Sequence, residues 1–267
     1  MISSSENPAL KKIRFLLTKK GRVRENMFVI EGPHIVLAAL ESDFKIEYSV
    51  LSSKFTGNRH FNDITACFKS KNIKYYEADE KILSKISETE NSQGIFAVVK
   101  PKEYDFLKSI SSVNGLILIC DNIKDPGNLG TILRICDAAK VNAVILSKGT
   151  VDIYNQKVVR SSMGSIFNTA FFYADDLIEL INNIKKSGFQ IISTASLAKT
   201  NIYQLDLKKK TAVIIGSEES GIQDEIIGLS DVVASIPIIG KAESLNAAVS
   251  SAVILYEAVR QRNFCNA

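Results

Sequence analysis

Three short segments concentrate the side chains that could do chemistry. The first is Asp121-Asn122-Ile123-Lys124-Asp125-Pro126-Gly127-Asn128-Leu129-Gly130, followed by Arg134. The second is Ile215-Gly216-Ser217-Glu218-Glu219-Ser220-Gly221, and the third runs from Ile236-Pro237 through Gly240-Lys241-Ala242-Glu243-Ser244-Leu245-Asn246. Between them they offer a carboxylate flanked by glycines, carboxamides, a hydroxyl and a guanidinium. Such groups orient a substrate, accept hydrogen bonds and stabilise negative charge on oxygen. The glycines of the second segment let the backbone approach a ligand closely or adopt φ > 0. Neither G-x-G-x-x-G nor G-x-x-x-x-G-K-[ST] occurs, so the dinucleotide and P-loop fingerprints are absent. Cys67, Cys120, Cys136 and Cys265 form no C-x-x-C and no Cys–His spacing, so no metal site and no disulfide framework is indicated and free, mostly buried thiols are expected.

Each segment also has a plain structural reading. Asp125-Pro126-Gly127-Asn128 would make a turn and helix start with Asn128 as N-cap. Ser244 would cap a last helix in which Leu245, Ala248, Val249, Ala252 and Val253 follow the helical period. Two residues are left over. Arg134 falls in the first turns of a helix expected over 129–140, where its charge opposes the positive end of the helix dipole and calls for an anionic partner. Asn246 sits inside the first turn of the last helix, where capping by Ser244 gives it no task.

The elements that must hold these segments alternate between strands and helices. Apolar runs at 116–120, 143–146, 169–173, 189–194, 212–215 and 232–236 read as strands, and 129–140, 177–186, 223–229 and 245–262 as helices. Near-continuous apolar strands in this alternation indicate a parallel sheet covered on both faces, with its site at the carboxyl ends of the strands. Ahead of it, strands at 27–30, 46–51, 73–76 and 94–99 and helices after Pro33, around 64–70 and near 82–86 make a smaller α/β module. Residues 101–114 read as the link, giving domains over 1–106 and 107–267.

With 267 residues, 46% of them hydrophobic, the composition excludes a disordered or fibrous chain. The longest apolar runs are too short to span a bilayer and the polar start has no signal-peptide core, so a cytoplasmic protein without a membrane partner is expected. The net charge of +4 permits an RNA partner without requiring one. The charge is sharper locally: Lys11, Lys12, Arg14, Lys19, Lys20, Arg22 and Arg24 crowd residues 8–24 with no acid between them. Leu10, Ile13, Leu16 and Leu17 interleave at helical spacing, so a first helix ending at Gly21 should present a basic face to RNA.

Taken in order, the three segments resemble the motifs of the SpoU/TrmH family of RNA ribose 2′-O-methyltransferases, within the SPOUT superfamily. Val158-Val159-Arg160-Ser161-Ser162-Met163-Gly164-Ser165 is similar to the family's segment between the first two motifs. The first domain resembles, more weakly, the substrate-binding module that precedes the catalytic domain in many members, through Phe28-Val29-Ile30-Glu31-Gly32-Pro33 and Gln93-Gly94-Ile95-Phe96-Ala97-Val98-Val99. The resemblance implies an α/β fold: a small amino-terminal RNA-binding domain, then a mostly parallel-sheet methyltransferase domain tied in a trefoil knot. It also implies S-adenosylmethionine as cofactor, held largely by main chain at Gly216, Ile236 and Leu245 with Thr194 and Ser244 nearby.

By the same resemblance Arg134 is the catalytic arginine, assisted by Asn128, Glu218, Ser244 and Asn246, and the last helix is a homodimer interface. A guanidinium stays protonated and makes a poor base. Arg134 is therefore assigned to phosphate binding or to stabilising alkoxide charge, and the base is left open. Both histidines, His34 and His60, fall in the first domain, so the second has no imidazole base. Ala247-Ala248 stands where many members have Val-Ser, and Cys136-Asp137-Ala138-Ala139 replaces a Thr-Ala-Asp-like stretch; neither touches a motif polar group. Ribosomal RNA is the favoured substrate over tRNA. The rival readings are a non-catalytic RNA-binding assembly factor of the same fold and a small-molecule enzyme on a doubly wound sheet.

Overall fold

The computed structural model describes residues 2–87 and 92–264, so Cys265 lies outside the described residues. In chain order the first elements are α1 (Pro8–Leu17), α2 (Lys19–Glu25), β1 (Phe28–Glu31), α3 (Pro33–Glu41), β2 (Ile46–Ser52), α4 (Phe61–Ser70), β3 (Lys74–Ala78), α5 (Glu80–Ser84) and β4 (Ile95–Val99). Then come α6 (Phe106–Ile110), β5 (Leu116–Asp121), α7 (Pro126–Ala138), β6 (Ala143–Ser147), α8 (Gln156–Ser161), β7 (Phe171–Ala174), α9 (Leu177–Lys186), β8 (Gln190–Thr194), β9 (Thr200–Asn201), β10 (Thr211–Gly216), α10 (Asp224–Gly228), β11 (Val232–Ser235) and α11 (Ala247–Asn263).

These elements fall into two units. One holds the chain up to Glu103 together with Asp152–Asn168; the other holds Tyr104–Val151 and everything from Thr169 onward. A single cut near residue 106 therefore does not describe the division, because the segment carrying α8 leaves the second unit between β6 and β7 and folds with the first.

In the first unit a four-stranded sheet runs β1-β4-β2-β3, antiparallel except for the β2/β3 pair. Period-2 alternation puts Val29, Val50, Phe96 and Val98 on one face, where Leu10, Ile13 and Leu16 of α1 cover them. Phe28 points to the other face and stacks on Tyr154 of the inserted segment, centroids 4.2 Å apart. The basic stretch is two helices rather than one. Thr18 is extended, ends α1, and caps α2 by accepting from the Gly21 amide at 3.0 Å. Gly21 lies inside α2, where an added Cβ would sit 1.9 Å from the Phe15 carbonyl oxygen, so only glycine lets α2 fold back onto α1.

In the second unit all seven strands are parallel, in the order β7-β6-β5-β10-β8-β11-β9. Ile117, Ile119, Ile145, Ile191 and Ile214 form one buried face against Ile181 and Ile184 of α9 and Ile226 of α10. The other face is covered by α7 and α11, which also pack on each other. Chain order runs outward from β5 through β6 to β7 on one side, while β10 and β8 lie on the other. The strand order thus reverses around β5 and β10, and ligand sites in such sheets lie beyond the carboxyl ends at that reversal. Cys120 and Cys136 are buried and Cys67 is half-buried; burial pushes the Cys120 thiol up to about 12. No helix among the described residues is long and apolar enough to cross a membrane.

Candidate active site

Beyond the ends of β8, β10 and β11 the second unit opens into a cleft of about 400 Å³. Thr194, Gly216, Ile236, Ser244 and Leu245, the residues assigned to cofactor binding from sequence, all line it. Ala195, Ser196, Ile238 and Glu243 line it too; Ile238 and Glu243 lie within the third segment but have no role assigned from sequence, and Ala195 and Ser196 are small loop residues outside any motif. Thr194 Oγ1 donates to the Ile214 carbonyl at 3.0 Å, tying β8 to β10 at the cleft floor.

Gly216 shows why the second segment needs its glycines. A Cβ there would lie 2.3 Å from the Gly221 carbonyl carbon and 2.6 Å from the Ile222 nitrogen, because the loop folds straight back over the strand end. The fold-back is closed by Gly221 donating its amide to the Ser217 carbonyl at 3.0 Å, with Gly221 at φ +65°, and by Ser217 Oγ meeting Ser220 Oγ at 2.8 Å. The loop is therefore preset.

At the edge of this cleft Glu218 joins the other two segments. Its Oε1 accepts from Asn128 Nδ2, from Asn246 Nδ2 at 3.3 Å and from the Ala247 amide at 3.3 Å. Asn246 Nδ2 also donates to Asn128 Oδ1 at 3.0 Å. Residues far apart in sequence thus form one closed carboxamide–carboxylate cluster, and Glu218 Oε2 makes no hydrogen bond among the described residues. Ser244 lines the cleft without joining that cluster.

The caps differ from the sequence expectation. Asp125, not Asn128, is the N-cap of α7, accepting from the Asn128 amide at 2.8 Å. The shift by three residues frees the Asn128 side chain. Asn246, not Ser244, caps α11, its Oδ1 accepting from Ala248 N at 2.9 Å and Val249 N at 3.3 Å. Asn246 therefore has a structural task on one amide atom and a site contact on the other.

Arg134 stands apart. It is exposed and does not line the cleft, and among the described residues it makes no hydrogen bond or ion pair. Because α7 begins at Pro126, Arg134 lies in its third turn, and the argument from a positive dipole end does not apply there. Its charge is exposed and, among the described residues, unpaired, so it is available to an anionic partner.

The basic stretch is divided as well. Lys11, Lys19, Lys20 and Arg24 are exposed and Lys12 and Arg14 partly so, with Lys11 paired to Glu6 at 2.7 Å and Lys12 to Glu25 at 3.5 Å. Arg22 is no part of that face: 7% exposed, it pairs with Asp152 and donates to the carbonyls of Leu16 and Leu17. No group of three or more His, Cys, Asp or Glu side chains among the described residues could hold a metal ion.

Comparison with known proteins gives consistent matches. The model of the SpoU rRNA Methylase family matches residues 115–256, and that of the MRM3-like substrate binding domain matches residues 7–97. The 23S rRNA (guanosine(2553)-2'-O)-methyltransferase RlmP of Bacillus subtilis is 32% identical over 255 residues, covering 96% of this chain and 97% of that protein. The 23S rRNA (guanosine-2'-O-)-methyltransferase RlmB of Ralstonia nicotianae is 29% identical, covering 87% and 95%. The crystal structure of an AdoMet-bound rRNA methyltransferase from Sinorhizobium meliloti superposes with a TM-score of 0.87 at 29% identity, covering 97% of each chain.

Proposed function

The chain belongs to the SpoU rRNA methylase family, and on that premise we propose that it transfers the methyl group of S-adenosylmethionine to a ribose 2′-hydroxyl of ribosomal RNA. The observation that carries this reading is that Glu218 belongs both to the glycine-formed cleft and to the cluster with Asn128 and Asn246.

The cleft fits the cofactor. Its volume is in the range of small-molecule sites, and its walls are main chain, small residues and apolar side chains such as Ile236, Ile238 and Leu245, together with Glu218 and Glu243. Gly216 leaves the space beside Gly221 that any larger residue would fill. Backbone groups of Gly216, Ile236 and Leu245 would hold it, with the hydroxyls of Thr194 and Ser244 alongside. When bound, S-adenosylmethionine supplies an electrophilic methyl on a sulfonium, and the protein's share is to place the hydroxyl and manage its proton.

Asn128 and Asn246 are locked by Glu218 Oε1, so their positions need no reorganisation as the reaction proceeds. Glu218 Oε2 is the acceptor left over in this cluster, and it takes the hydrogen bond of the incoming 2′-hydroxyl. Arg134, permanently charged and unpaired, binds the flanking phosphate or the negative charge that grows on the ribose oxygen.

The first unit, the chain up to Glu103 with Asp152–Asn168, acts as the substrate-binding part and the second as the transferase, whose knotted topology belongs to the same reading. Lys11, Lys12, Arg14, Lys19, Lys20 and Arg24 contact RNA phosphates. Two copies join through α11, where Val249 and Tyr256 lie one heptad apart and are about half exposed. Incubation with labelled S-adenosylmethionine and RNA lacking native modification tests the substrate class. Label should enter the ribosomal fraction; label confined to tRNA would move the substrate, and cofactor binding without transfer to any RNA would favour the non-catalytic assembly factor.

A further inference from the structure

The chain's two histidines, His34 and His60, lie against each other in the first unit, with ring centroids 5.1 Å apart and planes at 70°. His34 is exposed in the first turn of α3, and His60 is the half-buried N-cap of α4. Arg59 Nε donates to His60 Nε2 at 3.0 Å. Nε2 must then carry a lone pair, so the ring proton sits on Nδ1, a donor. The same bond holds the guanidinium by one edge, and among the described residues neither Nη1 nor Nη2 has a hydrogen bond or ion pair. Of the neighbouring charges, Lys54 pairs with Glu80 at 3.6 Å, while among the described residues Asp63 in the first turn of α4 makes no hydrogen bond or ion pair with Arg59, His34 or His60. Neither α3 nor α4 has a side-chain cap.

We propose that Arg59, His34 and His60 form a phosphate-binding site for the RNA substrate. Arg59 presents its unused Nη fork to one backbone phosphate, and the two imidazoles add a donor and an aromatic face beside it. A guanidinium held through its Nε has already given up much of its rotamer freedom, so the fork is set before RNA arrives. The site is separate from the basic helices. α1 covers the sheet face bearing Val29 and Val50, whereas α3 lies with Phe28, Phe44 and Tyr154 on the opposite face. RNA would therefore be held at two places on this unit. The proposal rests on the RNA-substrate reading above.

The test is direct binding of the full chain to an unmodified ribosomal RNA fragment by fluorescence anisotropy, across a salt series, apart from any methyl transfer. Arg59→Gln should weaken binding about tenfold and flatten the slope of log affinity against log salt by about 0.7 to 0.9, one phosphate's worth. Arg59→Lys, which keeps the charge and loses the fork, should fall between, and His34→Gln with His60→Gln should weaken binding while leaving cofactor affinity unchanged. Arg59 and His34 are exposed, so these variants retain the fold. Wild-type affinity and slope in Arg59→Gln would overturn the site, as would a wild-type protein that binds no RNA. Wild-type binding without methylation would break the functional reading instead, with the Arg59 comparison still decisive for the site.

Discussion

Arg22 is the residue whose role changes most between sequence and structure, and replacing it gives a quantitative test. Its Nε and Nη2 meet Asp152 Oδ2 at 2.8 and 2.7 Å, and its Nη1 donates to the carbonyls of Leu16 and Leu17 at 3.0 and 2.6 Å. The paired side chains are 7% and 15% exposed. Arg22→Met leaves a nearly buried carboxylate without its cation and two carbonyls without a donor. Breaking a buried pair from one side costs about 3 to 5 kcal/mol, against a total stability of about 5 to 15 kcal/mol for a typical domain. At roughly 2 to 4 °C per kcal/mol for a chain of this size class, the unfolding midpoint of the first unit should fall on the order of 10 °C. Circular dichroism during heating and urea titration would measure it. Arg22→Met with Asp152→Leu should recover much of the loss, because no charge is then stranded. RNA affinity of the folded fraction should not change in either variant. A loss below about 1 kcal/mol, the size of a surface ion pair, would refute the reasoning.

Arg134→Ala should lower turnover by about a hundredfold or more while leaving the unfolding midpoint in place, since the side chain is exposed and unpaired; near-normal methyl transfer would remove it from the mechanism. Gly216→Ala should lose at least about tenfold in S-adenosylmethionine affinity by calorimetry, because its Cβ collides with the Gly221 backbone at 2.3 Å; unchanged affinity would relocate the cofactor. Neutralising Lys11, Lys19, Lys20 and Arg24 together should weaken RNA binding and flatten its salt dependence, and an unaltered slope would move that surface elsewhere. The hydrogen bonds from Arg260 hold the Glu257 carboxyl below its usual range, more than offsetting burial, with Gln261 adding a further donor. A depressed carboxyl contributes stability above its unfolded value that is lost as pH falls through the folded one. Glu257→Gln should therefore flatten the acid side of the stability profile, and a profile identical to wild type would contradict this.

Much of the fold was legible because the apolar strands of the second unit are long and their alternation with helices leaves few topologies. Gln190–Thr194 and Thr211–Gly216 fall within about a residue of the runs read from sequence. The pairing of β10 between β5 and β8 was not legible, since register between parallel strands leaves no local signal. Nor was the excursion of Asp152–Asn168 into the first unit, which depends on Tyr154 stacking on Phe28 and Asp152 meeting Arg22. The break at Thr18 was hidden because its neighbours are good helix formers and the capping hydroxyl decides the end locally. In the candidate site, residue types pointed to Asn128, Glu218 and Asn246, and the geometry joins them. Which residues cap α7 and α11 could not be separated by sequence, because Asp125 and Asn128, or Ser244 and Asn246, are all good N-caps.

The most direct test of the account is the position of the transferred methyl group. Ribosomal RNA methylated by the protein with labelled S-adenosylmethionine would be hydrolysed with alkali and the surviving linkages mapped. Methylation of a ribose 2′-oxygen removes the nucleophile that alkaline cleavage requires, so the account predicts label in one alkali-resistant dinucleotide. Label released as an ordinary mononucleotide would place the methyl on a base and contradict it.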